Sequence, residues 1–407
     1  MRSRSLGLRG RRTAAGIVLS LALLPALALS ACGSSDDGGS TSSSTGASTG
    51  AAAASTTSGS STTASADTGG KPSWCGDKDI TLGIQDGGGL NAWSAASLQQ
   101  VKLEAAKCPN IKKTIVVNAG FDPQKATSGI QSMISQGANA IVIIPDAGVR
   151  AELPALRQAT QRGVKVATYA ADGCGKVGTD YVSYSDWDPV ANGKLWASWM
   201  AKQMGGKGNL LFMGGPAGNT VDQGSVTGIL EELKKYPDIK VLENLSPKSW
   251  PVTNWDPAQA QKLMSSLLAK YPQIDGLIDG YGANVPGEIK AFKDAGRKIP
   301  PIITIQLNGL SCEYAKDKGT KNAFELATIS NRNWTGRLAV RHAVAAANGI
   351  ENNDPGLMAL PLLEDSTQPG MEPKCYEGKS PDYDPSNEMT DEQLQELIDK
   401  SAEPSAS

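Results

Sequence analysis

Amides, carboxylates and aromatic rings recur just after the apolar, strand-like runs of this sequence. They are Asn91 and Trp93, Asp146, Asp172, Asn219, Asp222 and Gln223, Trp255 and Asp256, Asp279, Tyr281 and Asn284, Asn308, and Asn331. Positive charges are rare among them. Such a set suits a neutral, hydroxyl-rich ligand. Each hydroxyl of a polyol both donates and accepts, and Asn and Asp offer several donors and acceptors at fixed angles. An aromatic ring covers the C–H face of a sugar and excludes water from it. Any one of these residues serves equally well as a helix cap or turn former, so the joint pattern carries the reading. The candidate ligand contacts are Asn91, Trp93, Asp172, Asn219, Gln223, Trp255, Asp279, Tyr281, Asn284, Asn308 and Asn331. The stretch GGGLNAWSAAS (87–97) sets Trp93 at what reads as a loop tip between a strand and a helix.

Catalysis finds little support. The chain has no GxSxG elbow, no HExxH and no GxxxxGK[ST]. The glycine turn GGPAGN (214–219) follows a strand, but it lacks the lysine and Ser/Thr of a phosphate loop. The one histidine, His342, lies in the helical pattern RLAVRHAVAAANG. Asp382, Asp384 and Asn387 only weakly suggest a calcium loop, because the glycine that loop needs is absent. The expectation is a binding protein, not an enzyme, with no cofactor and no metal. The net charge of −2 includes five arginines in the first twelve residues and gives no footprint for nucleic acid.

Positioning such a site requires regular elements. Runs such as DITLGI (79–84), KTIVVNA (113–119), AIVIIP (140–145), KVATYA (165–170), YVSYS (181–185), NLLFMGG (209–215), KVLENLS (240–246), GLIDGYG (276–282), PIITIQLN (301–308) and ELATIS (325–330) read as strands. They alternate with helical patterns, among them SLQQVKLEAAK (97–107), PQKATSGIQSMISQG (123–137) and NWTGRLAVRHAVAAANG (333–349). Alternation with near-continuous Val/Ile/Leu strands argues for parallel sheets covered on both faces. The number of strands calls for two doubly wound α/β lobes, and ligands bind such sheets beyond the carboxyl ends of their strands.

The ends of the chain read differently. A basic start and the apolar run 14–29 precede Leu29-Ser30-Ala31-Cys32. This resembles a bacterial lipobox, which implies a signal peptide over 1–31 and lipid attachment at Cys32. Residues 33–72 hold no aromatic or large aliphatic side chain and read as a flexible leash. Such a chain has a reach on the order of 35 Å. In an oxidising compartment Cys75 is expected to pair with Cys108, because a strand start and the end of the next helix lie close in a βα unit. Cys312, read as lying in a loop, is expected to pair with Cys375 and pin the carboxy-terminal extension, which leaves Cys174 odd. Thr390 and Gln393 form a capping-box pattern ahead of a short helix within 371–407.

Across residues 78 to 365 the chain resembles the ribose/galactose-type periplasmic sugar-binding proteins, the substrate receptors of ABC importers. The resemblance rests on ITLGI…LNAW, ATSGIQSMISQGANAIVIIPDAG, AKYPQIDGLIDGYG…GEIKAFKDAG, ITIQLNG and LATISN. It implies the type I periplasmic binding protein fold, with lobes of 73–186 plus 333–359 and of 187–332 plus 360–370. The three crossings between them fall near 185–187, 331–333 and 357–361. It further implies hinge closure on a small-molecule solute, a sugar or sugar alcohol, and delivery to ABC permease subunits by a monomer held at the outer face of the cell membrane. Asn91 and Trp93 fall on the family's first-loop amide and aromatic, Trp255 on the facing aromatic, Asn308 and Asn331 on later polar positions. The chain lacks the family's Asp-Arg after KVATY and its arginine near Gln223, which puts a common aldose in doubt and admits a sugar alcohol, a modified sugar or a less hydroxylated solute. A receptor for a membrane sensor, or for a nucleoside or amino acid, remains the alternative.

Overall fold

The computed structural model describes residues 70–88 and 91–402. The signal segment, Cys32 and nearly all of the leash lie outside the described residues. The chain first runs through β1 (Ile80–Asp86), α1 (Ala92–Ala105), β2 (Ile111–Asn118), α2 (Pro123–Ser135), β3 (Ala140–Ile144), α3 (Val149–Gln161), β4 (Lys165–Tyr169) and β5 (Ser183–Trp187). It then builds α4 (Pro189–Gln203), β6 (Lys207–Met213), α5 (Thr220–Leu233), β7 (Asp238–Val241), α6 (Pro257–Lys270), β8 (Gly276–Asp279), α7 (Val285–Asp294), β9 (Ile302–Ile305), α8 (Asn308–Asp317) and β10 (Leu326–Ile329). The last part comprises α9 (Thr335–Asn348), β11 (Leu357–Met358), β12 (Leu362–Asp365) and α10 (Asp391–Ala402).

The strands form two sheets, ordered β11-β5-β4-β3-β1-β2 and β12-β10-β9-β8-β6-β7. Every pairing is parallel except β10 with β12. The fold is thus two doubly wound α/β lobes. The chain passes between them three times: after β5, after β10, and between β11 and β12. Strands buried on both faces explain the apolar runs. Every residue of β3, β8, β9 and β10 is buried, and each large aliphatic chain so placed contributes about 1.5–3 kcal/mol. Helix starts are set by a repeated Asp-Pro pair. Asp122, Asp188 and Asp256 each accept the first free backbone N–H groups of α2, α4 and α6, and the next residue, proline, starts the helix with its φ already fixed.

Three expectations change. Helix α1 begins at Ala92, so Trp93 sits in its first turn and not at a loop tip. Cys312 lies inside α8, not in the expected loop. The run 240–246 yields a strand only to Val241. Both expected disulfides are present, Cys75–Cys108 and Cys312–Cys375. Cys174 is not odd, since no described cysteine is free.

Candidate functional site

The loops that follow the strands of both sheets face one another across a cleft, and contacts between lobes mark its two ends. At the hinge end, the Trp93 indole Nε1 donates to the carbonyl of Asn331 at 2.9 Å. Arg332 lies 5.3 Å from the Trp93 ring and 4.8 Å from the Trp187 ring. One guanidinium nitrogen donates to the Ala170 carbonyl at 2.9 Å and to both oxygens of Asp186, at 3.0 and 3.2 Å. Arg332 adopts a left-handed φ of 53°, a strained setting for a long side chain that clusters at functional sites. At the other end, Phe121 from the β2–α2 loop meets Trp255 from the β7–α6 loop, with ring centroids 6.4 Å apart and planes tilted by 39°. Both are left-handed, at φ 59° and 53°. Each ring lies on a glycine. A Cβ on Gly88 would come within 2.7 Å of the Phe121 ring, and one on Gly215 would collide with the Trp255 indole. Between the ends, the Asp172 backbone N–H donates to Thr220 Oγ1 at 3.3 Å.

Carboxylates dominate the floor. Asp146 is pushed well above the usual range by burial, then by Asp86 and Glu152, with Arg332 pulling the other way. Its Oδ1 has no partner among the described residues, and neither does Arg332 Nε or Asn331 Oδ1. Buried polar groups normally find partners, and these three atoms lack one. Glu152 is raised to about 7 by burial, although Gly148 N–H and the Gln85 amide both donate to it. In the second lobe Asp222 is raised by burial while accepting from Gly215 N–H at 2.6 Å and the Asn219 amide at 2.7 Å. Arg332 bears on the titration of Asp146, Asp186 and Asp222 alike, so one cation serves both walls.

The structure sorts the candidate contacts. Asn91 caps α1 by accepting from Ser94 N–H at 2.9 Å, and Asn219 caps α5. Asp172 accepts from the Tyr181 hydroxyl at 2.8 Å and from Cys174 N–H. Gln223 is half-buried in the first turn of α5. Asp279 and Asn284 are fully buried and bonded to one another. Burial pushes both Asp279 and Glu288 up, and Glu288, raised further by its neighbour, keeps its proton against Asp279. Tyr281 is buried, its hydroxyl pushed up to about 12 by burial and then by Asp382.

Two corrections follow. Asn308 is no solute contact: its amide donates to the carbonyls of Tyr376 and Ser380 at 3.1 Å and accepts from Tyr376 N–H at 2.8 Å, all in the carboxy-terminal extension. Trp255 meets Phe121, not Trp93, whose ring contacts Arg332. Phe121 was missed. Its only signal is an aromatic residue inside the turn AGFDP (119–123).

This architecture is matched by the model of the periplasmic binding protein domain over residues 89–351. The chain belongs to that family. The family comprises substrate-binding proteins and places the folded part outside the cytoplasm; no described helix is long and apolar enough to cross a membrane. The chain is 32% identical over 203 residues to the xylitol-binding protein of Mycolicibacterium smegmatis, covering 49% of this chain and 54% of that one. It is 26% identical over 253 residues to the galactofuranose-binding protein of Escherichia coli, covering 60% and 76%. The chain thus spans about half the length of the first of these relatives. An ABC transporter solute binding protein from Bacillus halodurans with bound myo-inositol superposes with a TM-score of 0.61 at 17% identity, covering 70% of this chain and 94% of that one. An ABC sugar transporter subunit from Rhodobacter sphaeroides superposes at 0.57 with 21% identity, covering 70% and 96%. These structures share the fold.

Proposed function

We propose that this periplasmic binding domain captures a small, uncharged, polyhydroxylated solute, a sugar or sugar alcohol, and delivers it to the permease of an ABC importer. The facing rings of Phe121 and Trp255, one from each lobe, carry the reading. An aromatic pair spanning a cleft suits the C–H face of a sugar or polyol. The carboxyl groups of Asp146, Glu152 and Asp222, all raised by burial, offer donors and acceptors to hydroxyls and give an anion no positive partner. Arg332, already engaged by Asp186, has only part of its charge left for a carboxylate ligand. The names of the relatives, xylitol-binding and galactofuranose-binding, agree with a polyol.

In this reading the lobes are 73–186 with 333–359 and 187–332 with 360–370, and the solute bridges them only in the closed form, shifting the population toward it. Asp172, Gln223, Asn331 and Trp93 remain contact candidates beside Asp146, Arg332, Phe121 and Trp255. Several hydrogen bonds of about 1 kcal/mol, with aromatic contacts of ~0.5–1.5 kcal/mol each, reach about −8 kcal/mol, near micromolar. Cleavage before Cys32 and lipidation there would tether a monomer to the outer face of the cell membrane.

A thermal-shift panel of pentoses, hexoses, their alditols and the matching sugar acids tests this. A neutral member at 100 times its Kd should add about 2.7 kcal/mol of stability. Stabilisation by sugar acids alone would overturn the assignment.

A further inference from the structure

The extension that follows β12 is fixed to both lobes, by different chemistry at each end. To the second lobe it is covalent. Cys375 is bonded to Cys312 in α8, and Asn308 and Gly309 at the start of that helix hold four points of the extension: the Tyr376 N–H and the carbonyls of Ser380, Pro381 and Tyr383. To the first lobe it is ionic. Asp391, at the start of α10, accepts from Lys107 Nζ at 2.6 Å and from Arg337, with Arg341 at 3.7 Å. Beneath them the buried Glu104 of α1 accepts from Arg337 Nε at 3.0 Å, Arg341 Nε at 2.5 Å and Lys107 Nζ at 2.9 Å. With Asp354 at 3.6 Å from Arg341, three carboxylates face three cations. The Met389 carbonyl accepts from Arg337, and the Asn387 carbonyl from Gln100 Nε2.

Between these ends, α10 lies on the hinge. Its buried Leu394 and Ile398 belong to one apolar cluster with Trp187, Trp334, Met358 and Leu360, and these four residues sit on the three crossings between the lobes. The family match ends at residue 351, so the extension itself lies beyond it, while the residues it grips lie within it.

A disulfide cannot release on the timescale of domain motion, whereas the Asp391 end of the ion-pair cluster, its carboxylate one-third exposed, can. Rotation of one lobe against the other moves Lys107 and Arg337 relative to Cys312. Either the extension yields or the Asp391 contact breaks. The cross-cleft contacts Phe121–Trp255 and Asp172–Thr220 show that the contact is made while the cleft is closed.

We infer that the carboxy-terminal extension is a strap across the hinge, covalently fixed to the second lobe, and that Asp391 is the positioning residue whose contact with Lys107, Arg337 and Arg341 holds the lobes closed. The inference rests on the two-lobe receptor reading, but it concerns the conformation of the protein without solute. It therefore stands or falls independently of which solute binds.

The test places donor and acceptor dyes at the exposed positions of Lys125 in α2 and Lys262 in α6, beside Phe121 and Trp255, by non-natural residues in the full chain. Single-molecule distances are read without solute. In wild type at low salt the short distance should dominate. Asp391→Asn should raise the long-distance population at least threefold, Lys107→Gln should raise it less, and 1 M NaCl should shift wild type but hardly change Asp391→Asn. Amide exchange of α10 separates a strap from a merely structural helix. If α10 loses protection in Asp391→Asn while the distance distribution stays that of wild type, the inference is overturned. A distribution unmoved by either variant and by salt overturns it as well.

Discussion

Replacing Arg332 by methionine should expose how the hinge is held. The side chain is mostly buried, and Asp186 beneath it is fully buried. Removing the guanidinium leaves that carboxylate with the Tyr184 hydroxyl at 3.0 Å and its neighbouring Trp187 N–H at 2.9 Å as remaining partners. Breaking one side of a buried pair typically costs 3–5 kcal/mol. The surviving hydrogen bonds reduce that cost, while the lost contacts to two indole rings add roughly 0.5–1 kcal/mol each. The expected loss is about 3 kcal/mol at pH 7.5.

Burial already raises the Asp186 carboxyl, and Arg332 pulls it back. In the variant it rises further. An acid whose pKa is raised in the folded state takes up a proton on folding, so its penalty grows as pH climbs from the unfolded pKa of about 3.9 toward the folded value. The loss should therefore shrink at pH 5. Urea denaturation of wild type, Arg332→Met, Asp186→Asn and the double variant, at both pH values, measures this. A loss under 1 kcal/mol at pH 7.5, or an equal loss at both pH values, refutes the account of the hinge.

Other outcomes follow from the same geometry. Phe121→Ala and Trp255→Ala should each weaken solute binding at least tenfold, about 1.4 kcal/mol, with little change in unfolding temperature; calorimetry checks this. Gly215→Ala should displace the Trp255 indole, and its loss of affinity should match that of Trp255→Ala, read by titration and by tryptophan fluorescence. Glu152, raised to about 7, makes the fold less stable as pH rises from about 4.5 to 7. Glu152→Gln should flatten that slope and remove up to about 3 kcal/mol of pH dependence in denaturation.

Much of the fold was legible because strands buried on both faces must be continuously apolar, and because Asp-Pro pairs announce helix starts. The Cys75–Cys108 disulfide was legible from position, whereas Cys312 pairs with Cys375 from inside a helix and not from the expected loop. The site was less so, since one residue type serves two purposes. Asn91 and Asn219 look the same whether they cap a helix or hold a hydroxyl, and here they cap. Asn308 reads as a strand-end amide until the extension is seen folded over it. Phe121 lies in a turn with no periodicity, and only the packing of α2 against the first sheet brings it opposite Trp255. The α8 helix was missed because SCEYAKDK carries no clear apolar stripe.

The most direct test of the central claim is calorimetric titration of the wild-type protein and Trp255→Ala with sugars and sugar alcohols of five and six carbons, alongside the corresponding sugar acids. One neutral polyol should bind near micromolar in wild type and at least tenfold more weakly in Trp255→Ala, with no comparable heat from its acid. Binding of the acid with equal or greater affinity, or a polyol bound equally well without Trp255, would contradict it.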